Sequence, residues 1–390
     1  MTEIRYYDDT IHQKLQLLMN RVIIEAMITM SDVARRAGVS RSTVSHVLSE
    51  HQGETVRIPD ATRQRVLEAA REMGYRPNAL ARSVRSGKTR MIGYLVDEPR
   101  YEPYWNIMVG ALEAADELGF TLKILSVSHP TLADRVRQCT ELRLSGIIAR
   151  LAGSKRLLFE EANHAQIPVV TVDEGIPQLF GTRITSDDAL GIGYVLDHLT
   201  HFGHRKIGFI SSGFPRLNPV RKDPGDIGTA REELFRQEMA ARGLPLPEGY
   251  VTHDTVMVFG CKAEVTIDSS SAQAATNALL HHPQGRPTAI VCWRDETALL
   301  AIQECHRQGL RVPEDISLVG FSDISAARLC DPPLSTVKTP WEAMGRLAIQ
   351  ELVQRVDSNF DPAPTTHLVP TTFITRATSG PAPRIKNSRR

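Results

Sequence analysis

Arg41, Ser42 and His46 are spaced along GVSRSTVSHVL, a stretch whose apolar residues Val44, Val47 and Leu48 keep helical spacing. Side chains of these types on one helix face carry the donors and acceptors that read base edges in a major groove. Arg41 has the reach for a bidentate bond to guanine, which discriminates by roughly 1–3 kcal/mol. Thr43 and Ser45 add hydroxyls suited to phosphate oxygens. That chemistry requires a short helix held rigidly by neighbours, and the flanking residues supply them. Thr29 opens TMSD, a T-x-x-D capping box ahead of Val33, Ala34 and Ala37. Gly38 ends this first helix, and Ser40 caps the second. Two short helices across a tight turn form a helix-turn-helix pattern.

A polar loop, SEHQGETVR, follows, and Pro59 sets up a third helix, DATRQRVLEAAREM, closed by Gly74. Its predicted apolar stripe is Val66, Leu67, Ala70 and Met73. The next segment, YRPNALARSVRSGKTR, is short, basic and too poor in apolar residues to hold a helix alone. It reads either as a flexible linker or as a linker that becomes helical against DNA. Residues 28–90 carry twelve Lys and Arg against six Asp and Glu, a charge of +6 on a chain whose total is +1. A basic module on a slightly acidic body points to a polyanionic partner at one end.

From Arg90 onward the pattern changes. MIGYLV, TLKILSV, SGIIARL, IPVVTVDE, KIGFISS, TAIVCW and ISLVGFSD are short apolar runs, separated by helical stretches such as WNIMVGALEAADEL and ETALLAIQECHRQG. Such alternation predicts parallel sheets with crossover helices, and nearly 290 residues of it suit two doubly wound subdomains. Ligands in open sheets of this kind bind beyond the carboxyl ends of the strands. The 390-residue chain is 42% hydrophobic and 23% charged, ordinary for a globular protein of two or three domains. No apolar run reaches the roughly 18–20 residues a membrane span needs, and the amino terminus lacks a leader pattern, so no membrane partner and a cytoplasmic location are expected. Cys139, Cys261, Cys292, Cys305 and Cys330 are scattered without a CxxC and read as free thiols. SGKT lacks the upstream P-loop glycine, which is Arg82, and GIGYVL lacks a third glycine. HFGH and HHPQ have no partner at metal spacing, and GFSDIS is not a nucleophile elbow. No enzyme, cofactor or metal is expected.

ITMSDVARRAGVSRSTVSHVL and IPDATRQRVLEAAREMGYRPNALARSVRSGKT resemble the headpiece and hinge of the lactose/galactose repressor family, almost continuously over 28–89. HFGHRKIGFI, RPTAIVCWRDETALLAI, GLRVPEDISLVGFSD and DPPLSTVKTP extend the resemblance. It implies an N-terminal all-α helix-turn-helix headpiece and an α/β, periplasmic-binding-protein-like effector domain. It further implies a transcriptional regulator, a homodimer on double-stranded operator DNA, with a sugar or sugar derivative as effector. The implied DNA contacts are Thr29, Ser31, Ser40, Arg41, Ser42, Thr43, Ser45, His46, Thr62, Tyr75 and Asn78. Ala81 falls at the minor-groove contact position, and Val84 stands where the family has a wedging leucine. The implied effector contacts are Tyr104, Trp105, Asp173, Arg231 and Trp341, with Arg294 in a slot often Asn or Asp and Ser322 in a slot often Asp. Those two departures change the charge of the cleft and favour a ligand with an anionic group, with a neutral sugar as the alternative.

The expected divisions are an extension at 1–27, a headpiece at 28–75, a hinge at 76–90, an effector domain at 91–376 and a flexible tail at 377–390. Within the effector domain, 91–188 with 320–341 is expected as one subdomain and 189–319 with 342–376 as the other. The extension has approximate helical spacing, or translation starts later, at Met27 or Met30. The tail SGPAPRIKNSRR has no leucine heptads, so a tetramerising helix is not expected.

Overall fold

The computed structural model describes residues 28–48, 58–75, 89–97, 99–127, 131–151, 156–172, 181–213, 227–254, 256–258, 265–267, 269–358 and 365–383. The extension, the hinge at 76–88, Cys261 and the last seven residues lie outside them. The chain divides into a unit of residues 1–89 and one of 90–390.

In the first unit, α1 (Met30–Ala37) begins with the capping box: Asp32 accepts from the Thr29 backbone N–H at 3.0 Å, and Thr29 Oγ1 accepts from the Asp32 N–H at 3.3 Å. Gly38 ends it at φ +65°, a left-handed conformation costly for any residue with a Cβ. Ser40 Oγ then accepts from the Thr43 N–H at 3.1 Å and caps α2 (Arg41–Leu48). The third helix, α3 (Asp60–Glu72), packs Val66, Ala69 and Ala70 against Val33, Ala34, Ala37, Val44 and Val47. Small side chains dominate this core, so the helices approach closely. Leu67, expected in the stripe, is instead 47% exposed. The buried set follows Val66 at i+3 and i+4, which leaves Leu67 one step round the helix.

The second unit is two doubly wound lobes. The first sheet runs β13-β5-β4-β3-β1-β2, all parallel: β1 (Met91–Val96), β2 (Thr121–Ser126), β3 (Gly146–Arg150), β4 (Val169–Val172), β5 (Thr182–Asp187) and β13 (Thr365–Pro370). The second runs β14-β12-β11-β10-β6-β7: β6 (Ile207–Ser212), β7 (Val251–Asp254), β10 (Ala289–Cys292), β11 (Ser317–Ser322), β12 (Ser335–Lys338) and β14 (Thr372–Ile374). Only β14 pairs antiparallel there. A separate antiparallel pair, β8 (Val256–Val258) and β9 (Val265–Ile267), stands outside both sheets. Alternate residues of a strand face opposite cores, as the pleat requires: Ile92 and Tyr94 lie in one cluster and Leu95 in another. No helix among the described residues is long and apolar enough to cross a membrane. Cys139, Cys292, Cys305 and Cys330 are free thiols.

Three segments connect the lobes. β5 leads into α7 (Asp188–His201); β12 leads through Thr339 and Pro340 into α12 (Trp341–Ser358); β13 leads through Thr371 into β14. This corrects the expected division after residue 319. Val319 pairs with Ser335, which keeps β11 and β12 in the second sheet. The apolar face of α12, with Met344, Ala348, Ile349 and Leu352, belongs to the first lobe's core, and β13 closes that lobe's sheet. The tail is corrected as well: residues 377–383 are packed. Thr378 is fully buried, its carbonyl accepts from the Leu318 N–H at 2.8 Å, and Ala382 N–H donates to Phe202. The Gly380 carbonyl lies 2.9 Å from Nε2 of the buried His204, and Ser317 Oγ lies 3.2 Å from the same nitrogen, so the tail helps to satisfy a buried polar group.

In the first lobe, α12 crosses α4 (Glu102–Glu117) at two glycines. A Cβ on Gly110 would stand 2.0 Å from the Glu342 carbonyl oxygen, and one on Gly345 would stand 1.9 Å from that of Ile107. Both contacts are to backbone, which no rotamer change relieves. Gly345→Ala is therefore expected to cost at least roughly 1–3 kcal/mol. Denaturant unfolding measures this, and an unchanged midpoint would contradict the close crossing.

Candidate nucleic-acid interface and ligand cleft

On α2, Val44 and Val47 are buried, while Arg41, Ser42 and His46 are exposed and Thr43 and Ser45 are half-buried. The three expected base readers thus share the face turned away from the core. Ser40 Oγ lies 2.7 Å from Ser42 Oγ and 2.8 Å from Thr43 Oγ1, so hydroxyls cluster at the start of the helix. No acidic residue occupies its first turn, where unsatisfied backbone N–H groups favour an anion. Thr29 and Ser31 are exposed at the start of α1, and Thr62 and Tyr75 are half-buried, Tyr75 against the helical core. Arg36 pairs with Glu72 at 2.9 Å and ties α1 to α3. Asn78, Ala81 and Val84 lie outside the described residues.

The second site is built where the two sheets turn their carboxyl ends to the crossovers. α8 (Ile227–Ala241) presents Arg231, whose side chain is 3% exposed. Its Nε donates to Asp188 Oδ2 at 2.7 Å, at the first crossover, and its Nη1 donates to the Trp293 carbonyl at 2.7 Å. The guanidinium lies 3.7 Å from the centre of the Phe321 ring, and Nη2 is buried without a hydrogen bond. Adjacent Glu232 binds His253 and Arg236. Burial pushes its carboxyl up, but these donors and Ser211 outweigh it and hold the group down at about 2.

Arg294, just before α10 (Asp295–Arg307), is also buried. Its Nε donates to Thr297 at 3.3 Å, and Nη2 lies 3.7 Å from Asp254 Oδ2. Asp254 accepts from the Trp293 indole at 2.9 Å and from Thr297, and the Arg294 guanidinium lies over the Trp293 ring. Asp295 is fully enclosed; burial pushes its carboxyl up to about 7, although it accepts from Thr336 and the Ile324 N–H. It joins the start of α10 to the second sheet.

Tyr104 faces Arg150, the last residue of β3, whose guanidinium is 3.6 Å from the tyrosine ring centre. Tyr101 meets Tyr104 edge-to-face at 4.8 Å. Burial, then the Glu296 carboxylate, raises the Tyr101 phenol well above the usual tyrosine range, while Arg294 and Arg231 pull the other way. Charges of the second lobe thus reach a phenol of the first. Trp341 sits in the first lobe's core cluster and donates its indole N–H to the Ser322 carbonyl at 3.3 Å. Ser322 is buried at φ +132° and Asp323 follows at +59°, a strained reversal that ends β11. Glu102 accepts from both the N–H and the hydroxyl of Ser325, at 2.8 and 2.7 Å, where α11 (Ser325–Leu329) begins.

Arg231 and Arg294 meet through Trp293, and Trp341 meets Ser322 through a backbone bond. Trp105 is 52% exposed on the side of α4 opposite the core, and Asp173 lies outside the described residues. Sequence reasoning missed Tyr101, Arg150, Asp188 and Asp254. Arg150 and Asp254 end strands, the one signal that could have marked them.

Comparison with known proteins settles the relationship. A model described as "Bacterial regulatory proteins, lacI family" matches residues 29–78, and "Periplasmic binding protein-like domain" matches 196–379. The HTH-type transcriptional repressor PurR of Photobacterium profundum is 32% identical over 342 residues, 86% of this chain and 94% of that protein. The chain belongs to the lacI family. The ribose operon repressor of Haemophilus influenzae is 28% identical over 350 residues, covering 89% of this chain and 98% of that one. A structure of the lac repressor dimer bound to operator and the anti-inducer ONPF has a TM-score of 0.70 at 22% identity, over 90% of this chain and 99% of that one. That likeness establishes the shared two-lobed fold.

In this lacI-family chain the Arg231–Asp188 pair is buried at the arginine and half-buried at the aspartate, with side-chain exposures of 3% and 13%. Arg231→Met, which keeps most of the volume, is expected to destabilise by about 1–3 kcal/mol, because it removes the charged partner of Asp188 and leaves that carboxylate the Ser186 hydroxyl. Urea unfolding tests this; a loss under 1 kcal/mol would mean the pair carries little.

Proposed function

We propose that the chain is a transcriptional repressor that reads operator DNA through α2 and releases or tightens its hold when a small molecule occupies the cleft. The observation that carries this reading is the pairing of an outward polar face on α2 with a body whose cleft arginine is bonded to an interlobe crossover. A ligand that draws on Arg231 acts on the segment about which the lobes turn. Operator affinity then follows the ligand by linkage, to the extent that the ligand prefers one lobe arrangement. Arg41, Ser42 and His46 read bases, whereas Thr29, Ser31, Ser40, Thr43, Ser45, Thr62 and Tyr75 hold the backbone. Asn78, Ala81 and Val84 are assigned to the hinge contacts by family position. Tyr104, Arg231 and Arg294 contact the ligand, with Asp173 assigned by position. Ser322 and Trp341 latch the lobes.

The protein acts as a homodimer. On α4, Trp105, Val109 and Leu112 form a stripe opposite the core, and Leu112 is 50% exposed. Ile124, on the edge strand β2, is 46% exposed in the same lobe. An apolar helix stripe of this kind fits a second copy of the same chain. Binding, not catalysis, is the role of the cleft, and the protein works in the cytoplasm beside its DNA.

Arg41→Ala should lower affinity for a duplex selected from a random pool by roughly tenfold or more, with little loss on unrelated duplexes. Equal losses on all sequences, measured by titration at one salt concentration, would contradict base reading. Leu112→Glu should shift sedimentation toward the monomer; an undisturbed dimer would remove this stripe from the interface.

A further inference from the structure

Two guanidiniums in the cleft keep an uncommitted nitrogen. Arg231 spends Nε on Asp188 and Nη1 on the Trp293 carbonyl, and its Nη2 is buried without a hydrogen bond. Arg294 spends Nε on Thr297; its Nη2 is likewise buried without a hydrogen bond, and Asp254 stands too far off to supply one, at 3.7 Å. Trp293 joins the two, its carbonyl on Arg231 and its ring under Arg294. Among the acidic groups nearby, Asp188 and Asp254 are already engaged by other donors. Glu296 is not: its Oε2 is buried without a hydrogen bond and can accept one. Arg150 adds a third guanidinium beside Tyr104.

A neutral hydroxyl would return little for desolvating two charged N–H donors, whereas an oxyanion accepts both in charge-assisted bonds. The free acceptor on Glu296 asks for the opposite, a donor on the same ligand. We infer that the ligand is a polyhydroxylated acid, with one oxyanion held between Nη2 of Arg231 and Nη2 of Arg294 and a hydroxyl donated to Glu296. This rests on the cleft being the effector site, as proposed above, and it makes Arg294 the residue that sets specificity for charge.

Calorimetric titration of the full-length chain tests it. The probes are D-gluconate, D-glucuronate and D-galacturonate as carboxylates, glucose 6-phosphate as a phosphate, and neutral D-glucose and D-galactose. At least one acidic probe should bind at least roughly tenfold more tightly than its neutral parent, and the carboxylate and phosphate arms identify the oxyanion. Arg294→Gln should weaken that probe by roughly tenfold or more, with Arg294→Lys between it and the parent chain. The unliganded unfolding midpoint of each variant checks that it is folded. Binding confined to neutral sugars, no binding by any acidic probe, or an unchanged affinity in folded Arg294→Gln would overturn the assignment. The duplex selection uses no ligand, so failure here is distinguishable from failure of the DNA-binding reading.

Discussion

A buried arginine bonded to the point where the chain first leaves one lobe for the other is the constraint on which the body depends. Arg231 must be held because its charge is out of water, and it is held by Asp188 at the crossover, by the Trp293 carbonyl and by the face of Phe321. A lone buried charge would cost several kcal/mol, so the arginine and the crossover are fixed together. Anything that competes for this guanidinium changes the forces on the hinge. Thr371, at the third crossover, donates to the Asp187 carbonyl at 2.8 Å, which extends the same lock to a second connecting strand.

The lobes also meet away from the arginine. Glu102 caps the start of α11, and Trp341 reaches the strained Ser322 backbone. Hydrogen bonds are directional, so a rotation of one lobe breaks these as a set instead of stretching them gradually. Packing adds to the all-or-none character. Helices α4 and α12 touch at Gly110 and Gly345 with no side chain between them, so the first lobe moves as one body. A stiff lobe on a locked hinge is suited to carry a small event in the cleft to a distant contact.

Much of the headpiece was legible because its signals are local. Thr29 with Asp32, the left-handed Gly38 and Ser40 each fix a backbone group within three residues of themselves. Leu67 is apolar by type, yet the phase of the helix puts Ala69 inward and leaves Leu67 exposed. The body was legible in class but not in assembly. Apolar runs such as those of β1 and β10 announce buried strands; β5, reading TRITSD, does not, although Thr182, Arg183, Thr185 and Ser186 are all buried. Which lobe α12 joins is decided by distant pairing, and that is why the expected division was reversed. The packed tail escaped notice because its partners, His204 and Leu318, are far away in sequence. Family position picked out Arg231 and Arg294, but their counter-charges Asp188 and Asp254 are brought in by the fold.

We propose that the Arg231–Asp188 bond transmits occupancy of the ligand site to the DNA-binding end. The most direct measurement is operator affinity with and without the bound effector, in the parent chain and in Asp188→Asn, with effector binding measured separately. The account predicts that the variant still takes up effector while the effector's influence on operator affinity falls at least severalfold. If the variant binds effector and its operator affinity responds as fully as that of the parent, the crossover bond is not the coupling element.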